Sequence, residues 1–171
     1  WSSVKNRWTW LAVNLVTAFI ASRVIGIFEG SIEKIVALAA LMPIVAGIGG
    51  NSGNQTITMI VRALALNQIT LANARKLFAK EIGVSFINGL LWGAVVGLFA
   101  FLIYHSVPLG LVMTGAMVLN LLLAAIMGVT IPLLMQKLGR DPAVGSSVMI
   151  TAITDSGGFF IFLGLATLFL V

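Results

Sequence analysis

Long apolar runs separated by short polar stretches dominate this chain. Five runs are long enough to cross a bilayer, since a membrane helix needs about 20 mostly apolar residues. They cover Thr9–Phe28, Ile35–Val61, Ile82–Tyr104, Pro108–Leu134 and Val144–Leu170. The pattern predicts an all-α, polytopic membrane protein whose five transmembrane helices pack as a bundle.

The segment between the second and third runs has a different pattern. Thr70 is a suitable helix N-cap. After it, apolar and basic residues fall on opposite faces of a predicted helix that reaches Glu81. We interpret this segment as a helix at the membrane surface that leads into the third transmembrane helix.

The composition agrees with a membrane location. Of the 171 residues, 60% are hydrophobic and 9% are charged, whereas about a quarter of a soluble domain is charged. The apolar excess is therefore expected to contact membrane lipid. The chain has no cysteine and one histidine, which excludes disulfides, thiolate metal sites and histidine-rich metal centres.

The basic residues indicate the orientation. Eight of the ten Lys and Arg residues fall on one side of the five alternating spans, and the positive-inside rule makes that side cytoplasmic. We expect a multi-pass protein of the inner or plasma membrane, with the N-terminus in the cytoplasm and the C-terminus outside. This distribution accounts for the net charge of +5, so no nucleic-acid partner is expected. Because the chain starts with Trp1 and not Met, we also expect a fragment of a longer protein.

One acidic residue, Asp155, lies deep within a predicted span. A carboxylate at that depth costs about 2.5–3.5 kcal/mol on insertion scales, and no Lys or Arg lies at a similar depth to pair with it. Ser147, Thr151 and Asp155 recur every four residues and form a polar stripe. A neutral hydrogen bond between helices could explain Asp155, but a cation pathway is the interpretation we favour.

The middle of the second span is rich in glycines and amides. The glycines let backbones approach closely and expose carbonyl oxygens to a ligand. Several small and polar positions share one helix face: Gly47, Gly50, Asn51, Asn54 and Thr58. A packing seam of small residues would explain the glycines alone, whereas the amides favour an ion pathway.

The depth of the two polar stripes suggests that they meet. Asn51 lies about 16 Å from Arg62 along the helix, and Asp155 lies about 15 Å from the entry of its span near Gly145, so both fall near the midplane. Carboxylate, amide, hydroxyl and backbone oxygens suit Mg²⁺, Ca²⁺ or Mn²⁺. One carboxylate is too few for a dry Ca²⁺ site, whereas Mg²⁺ retains its waters. We therefore expect hydrated Mg²⁺ first, held between two copies of Asp155 if two chains meet on a two-fold axis.

Two stretches of the sequence have a specific pattern. One is PIVAGIGGNSGNQT from Pro43, followed by VRALAL from Val61, and the other is DPA from Asp141, followed by TAITDSGGF from Thr151. Both resemble the MgtE family of magnesium channels, and the similarity covers essentially the whole chain. The resemblance implies that residues 1–171 are a transmembrane pore domain, without the N-terminal helical domain and the CBS modules that regulate relatives from the cytoplasm.

The resemblance also implies a homodimer with a magnesium pore on the dimer axis and Asp155 as the central carboxylate. It implies that Gly47, Gly50 and Ala152 offer backbone oxygens to the hydrated ion. Asn54 and Thr58 would line the cytoplasmic exit. Asn51, Thr151 and Ser147 are further candidates for the pore lining.

Three other functions fit parts of the pattern. A secondary transporter could use Asp155 as a proton or sodium site, although the chain has no obvious inverted repeat. An intramembrane enzyme would need a paired carboxylate or a Ser–His pair, and His105 is expected at the outer surface, so we expect no enzyme. A structural subunit would leave Asp155 unexplained. Mn²⁺, Co²⁺ and Ca²⁺ are further candidate ions.

Overall fold

The computed structural model describes the backbone of residues 1–171 and all side chains except those of Leu71 and Val144. The fifth predicted span begins at Val144, so that side chain lies outside the described part. The described residues form six α-helices and no strand, which confirms the all-α prediction. The helices are α1 (Ser2–Ile27), α2 (Glu29–Lys34), α3 (Ala37–Ala65), α4 (Leu71–Tyr104), α5 (Val107–Lys137) and α6 (Pro142–Phe169).

Five of these helices correspond to the five predicted spans. By length and composition, α1, α4, α5 and α6 could each cross a membrane, as judged over the described residues. Helix α3 has 29 residues, which is also long enough. Its middle is rich in glycines and amides, and its crossing of the membrane stays a prediction.

The predicted surface helix is not a separate element. Helix α4 starts directly after Thr70 and continues for 34 residues to Tyr104. Thr70 is the N-cap, as predicted, and its Oγ1 accepts a hydrogen bond from the backbone N of Asn73 at 3.2 Å. Residues with high helix propensity fill the segment up to Glu81, and no proline interrupts it. The helix therefore runs unbroken into the apolar stretch.

Helix α5 forms the centre of the bundle and packs against α3, α4 and α6. The main core joins Val45 of α3, Met113 and Met117 of α5 and Phe162 of α6, all of them fully buried. Helix α1 packs on α6 at the periphery and exposes many large apolar side chains. Such a surface is suited to lipid.

Contacts at the two ends of the bundle fix the direction of α1 relative to α6. Gly145, near the start of α6, lies very close to the ring of Trp10 in α1, since a methyl group added at Gly145 would be only 2.5 Å from that ring. At the opposite end, the hydroxyls of Ser31 in α2 and Thr167 in α6 lie 2.7 Å apart. The two helices therefore run parallel, as expected for a first and a fifth span.

Candidate cation site at the contact of α3 and α6

Helices α3 and α6 pack closely through glycines of α3. A methyl group at Gly50 would lie 3.5 Å from Oγ1 of Thr154, and one at Gly53 would lie 2.5 Å from Cγ1 of Ile150. Since residue numbers rise along α3 as they fall along α6, the helices are antiparallel. Gly50 and Thr154 both lie near the middle of their helices. The glycine- and amide-rich run therefore lies beside the segment that contains Asp155.

Asp155 is partly buried, and it follows the fully buried Thr154. The hydroxyl of Thr154 donates to the carbonyl oxygen of Ile150 at 2.8 Å. The hydroxyl of Thr151 donates to the carbonyl oxygen of Ser147 at 2.9 Å. Both hydroxyl protons are thus used within α6, and neither threonine needs to hold the carboxylate of Asp155.

The predicted site residues of α6 lie towards the surface of the single chain. Ser147 is exposed, whereas Thr151, Ala152 and Asp155 are partly buried. Side chains on the core side of the same helix, such as Thr154, are fully buried. The polar stripe of α6 is therefore accessible from outside the bundle.

The predicted site residues of α3 form a similar surface. Gly47, Asn51 and Thr58 are exposed, and Gly50 and Asn54 are partly buried. A groove of about 660 Å³ follows this face. It is lined by Asn51, Asn54, Gln55, Thr58, Met59 and Arg62.

Hydrogen bonds along the α3 face engage one of the expected ion ligands. The amide Nδ2 of Asn54 donates to the carbonyl oxygen of Gly50 at 3.0 Å, and the hydroxyl of Thr58 donates to the carbonyl oxygen of Asn54 at 2.9 Å. The carbonyl of Gly50 therefore accepts a side-chain hydrogen bond in this structure. For Gly50 to face a cation with that oxygen, the Asn54 amide would have to turn away.

A second polar groove, of about 260 Å³, lies between α3, α4 and α5. It is lined by Ile48, Asn51, Ser52, Gln55, Asn88, Trp92 and Leu121. Asp155 lines neither of these two grooves. The described residues contain no group of three or more His, Cys, Asp or Glu side chains suited to a metal ion. One chain alone thus brings the two helices together without surrounding Asp155 by further carboxylates.

Two buried polar residues were missed by the sequence analysis. Glu81 of α4 is buried and lies 3.4 Å from the hydroxyl of Thr56, which is also 3.2 Å from the carbonyl oxygen of Ser52. Asn120 of α5 is fully buried and donates to the carbonyl oxygen of Val45 at 2.9 Å. Both residues could have been found from the sequence. Glu81 lies three residues after Phe78 and therefore on the same helix face as that apolar side chain. Asn120 is the one amide in the fourth apolar run.

Residues 42–165 match the family model MgtE, which is described as "Divalent cation transporter". This segment contains every predicted site residue as well as Asn120 and Glu81. The chain belongs to the MgtE family. The resemblance noted from the sequence is therefore confirmed, and the membership and the four apolar helices together support a membrane location.

Three MgtE relatives are named "Magnesium transporter MgtE", which is a transport role and not a catalytic one. The protein from Thermus thermophilus is 35% identical over 94% of this chain. The one from Enterococcus faecalis is 31% identical over 98% of it, and the one from Bacillus subtilis is 29% identical over 96%. The chain spans 36% of the first relative's length and 37% of the other two.

Proposed function

We propose that this chain forms the transmembrane pore of a Mg²⁺ transporter, with two copies around a common axis and Asp155 as the central carboxylate. The observation that carries the proposal is the contact of Gly50 with Thr154. It brings the amide-rich run of α3 beside Asp155 halfway along both helices. The names of the three relatives support Mg²⁺ as the transported ion.

The exposed polar faces of α3 and α6 are the argument for a second copy. Amides and carboxylates in contact with lipid leave their hydrogen-bonding groups unsatisfied, which costs several kcal/mol for each group. A two-fold axis beside these faces would cover them with the same faces of the partner. Two copies of Asp155 would then flank one ion. The residues of the second copy would surround the ion on the side that one chain leaves open.

The ligand chemistry suits a hydrated ion. Mg²⁺ dehydrates reluctantly, and it is bound through few carboxylates together with waters. The carboxylate of Asp155 would attract the ion, and backbone oxygens at Gly47, Gly50 and Ala152 would accept hydrogen bonds from its water shell. Rotation of the Asn54 amide would release the carbonyl of Gly50 for this role.

The remaining polar residues would line the path on either side of that centre. On α3 these are Asn51, Asn54 and Thr58, and on α6 they are Thr151 and Ser147. The proposed path leads from Asp155 along the groove of α3 towards Arg62, at the predicted cytoplasmic end.

The proposed orientation has the N-terminus in the cytoplasm. It is supported by the grouping of basic residues at one end of the bundle. Lys5 and Arg7 of α1 share a groove of about 700 Å³ with Arg140 of the α5–α6 connection. Basic residues at membrane-proximal ends favour the cytoplasmic side.

The proposal is tested by Mg²⁺ uptake into liposomes that contain the full 171-residue chain. We expect Asp155→Asn to reduce the uptake rate about tenfold or more. Two unit charges about 4 Å apart interact with about 1 kcal/mol at the dielectric constant of bulk water and about 4 kcal/mol near a protein surface, and about 1.4 kcal/mol corresponds to a factor of ten. Asp141→Asn is the matched control, since Asp141 caps α6 through the backbone N of Ala143 at 3.0 Å and Asn caps equally well.

Three outcomes of this experiment distinguish the proposed channel from its alternatives. Loss of uptake in Asp155→Asn with normal uptake in Asp141→Asn supports the proposal. Equal uptake by the unchanged chain and Asp155→Asn contradicts the role of Asp155. If uptake requires a proton or sodium gradient, the protein is a secondary transporter and not a channel.

A further inference from the structure

The central helix α5 holds one amide at the level of the candidate site. Asn120 is fully buried, and its Nδ2 donates to the carbonyl oxygen of Val45 in α3 at 2.9 Å. Its Oδ1 has no hydrogen-bond partner among the described residues. The neighbouring core of α5 is apolar, with Met117 and Leu121 also buried. Asn120 is therefore a half-satisfied polar group inside an apolar core.

Two glycines make the room that Asn120 occupies. A methyl group at Gly158 of α6 would lie 2.8 Å from Nδ2 of Asn120, and one at Gly49 of α3 would overlap the same atom. The amide is thus clamped between α3 and α6. Gly49 directly precedes Gly50, and Gly158 lies one helical turn beyond Asp155. The clamp is therefore at the same depth as the proposed cation site.

Stability alone does not account for this amide. The carbonyl of Val45 lies within α3, where a helical hydrogen bond already satisfies it, so the bond from Asn120 is an additional one. An unpaired buried acceptor is unfavourable, and an apolar side chain in place of Asn120 would remove that acceptor while the carbonyl of Val45 keeps its helical hydrogen bond. A polar group whose removal is not expected to destabilise the fold is best explained by a function.

We infer that Asn120 is a positioning residue for the cation pathway, an inference that rests on the proposed function. Its amide fixes the segment of α3 from Val45 to Gly50 against α6. The amide thereby sets the distance between the backbone oxygens of α3 and the carboxylate of Asp155. A hydrated Mg²⁺ ion is large and rigid, whereas Mn²⁺ and Ca²⁺ accept other ligand distances and lose water more readily. A fixed distance would therefore discriminate between these ions.

The test measures Mg²⁺ and Mn²⁺ uptake and thermal unfolding for Asn120→Leu in the full chain. We expect an unfolding temperature equal to or above that of the unchanged chain. We expect the Mn²⁺ to Mg²⁺ uptake ratio to rise about threefold or more, because the free energy of one interhelical hydrogen bond corresponds to about that factor. Met117→Leu, at a fully buried apolar position of the same helix, is the control and should change neither quantity.

A second variant covers the case in which leucine does not fit. In Asn120→Ala combined with Gly158→Ala, the new methyl group of residue 158 fills part of the vacated space without restoring the amide. The same rise in the uptake ratio is expected. A ratio equal to that of the unchanged chain in both folded variants would overturn the inference, as would a fall in unfolding temperature with a proportional loss of both ions.

The two proposals fail in different ways. If Asp155→Asn loses uptake and the Asn120 variants keep the normal ion ratio, Asn120 has no positioning role and the pore remains supported. If Asp155→Asn transports normally, the pore proposal fails and the inference about Asn120 fails with it.

Discussion

The hydroxyl of Thr56 in α3 lies between two acceptors, the carboxylate of Glu81 in α4 at 3.4 Å and the carbonyl oxygen of Ser52 in its own helix at 3.2 Å. Both side chains are buried. Gly128 of α5 makes room for Thr56, since a methyl group there would lie 2.9 Å from Cβ of Thr56. The contact between Thr56 and Glu81 thus joins α4 to the helix with the proposed pore lining, with the hydroxyl proton shared between Glu81 and Ser52.

Removal of this hydroxyl should destabilise the bundle. In Thr56→Val the shape is nearly kept, but Glu81 loses its donor, and an unsatisfied buried acceptor costs about 1–3 kcal/mol. Thermal unfolding in detergent should show a lower midpoint for Thr56→Val and a smaller change for Thr56→Ser, which keeps the hydroxyl. Equal midpoints for the two variants would mean that the hydrogen bond contributes nothing.

Two neighbouring glycines of α3 should respond differently to alanine. A methyl group at Gly47 would have no other atom within 4 Å, so Gly47→Ala should fold normally and reduce Mg²⁺ uptake by narrowing the proposed path. A methyl group at Gly49 would overlap Asn120, and such overpacking costs about 1–3 kcal/mol. Uptake assays and thermal unfolding of both variants check the contrast. Full uptake in Gly47→Ala would argue that its face does not line the path.

The proposed path should be accessible to water. The chain has no cysteine, so a single thiol can be introduced without background reaction. Thr58→Cys, on the groove of α3, should react with a membrane-impermeant thiol reagent, since reaction requires a hydrated thiolate. Leu91→Cys, 56% exposed in the apolar stretch of α4, should not react. Similar labelling rates at both positions would contradict a water-filled groove.

The proposed dimer should bring two copies of α6 together. Ser147 is exposed on the polar stripe of α6, so Ser147→Cys should form cross-linked dimers with a short bis-maleimide in dilute detergent solution. Leu91→Cys, on a face expected to contact lipid, should remain monomeric on denaturing gels. Cross-linking that is equal at both positions, or absent at Ser147, would argue against an axis beside this stripe.

The sequence was sufficient for the features that depend on local composition. Apolar length predicted the helices that correspond to the five spans, and Thr70 was recognised as a helix cap because its signal involves residues three positions apart. The predicted surface helix and the third span form one continuous helix, α4. Basic residues on one face suggested a surface helix, but the backbone has no reason to stop there, since good helix formers continue into the apolar run.

The interactions across helices could not be predicted in the same way. The hydrogen bonds from Asn120 to Val45 and from Thr56 to Glu81 join residues that are 75 and 25 positions apart. Their geometry depends on how α3, α4 and α5 pack, which periodicity alone does not determine. The depth of Asp155 beside the glycine-rich run was predictable, because helical rise converts sequence distance into height.

The most direct measurement is a structure of the full chain in lipid or detergent with Mn²⁺ as an anomalous scatterer in place of Mg²⁺. We predict one peak on a two-fold axis, about 4–5 Å from the carboxylates of both Asp155 copies, because one water lies between metal and ligand. A peak elsewhere, or Asp155 turned towards lipid or a neutral contact within its own chain, would contradict the account.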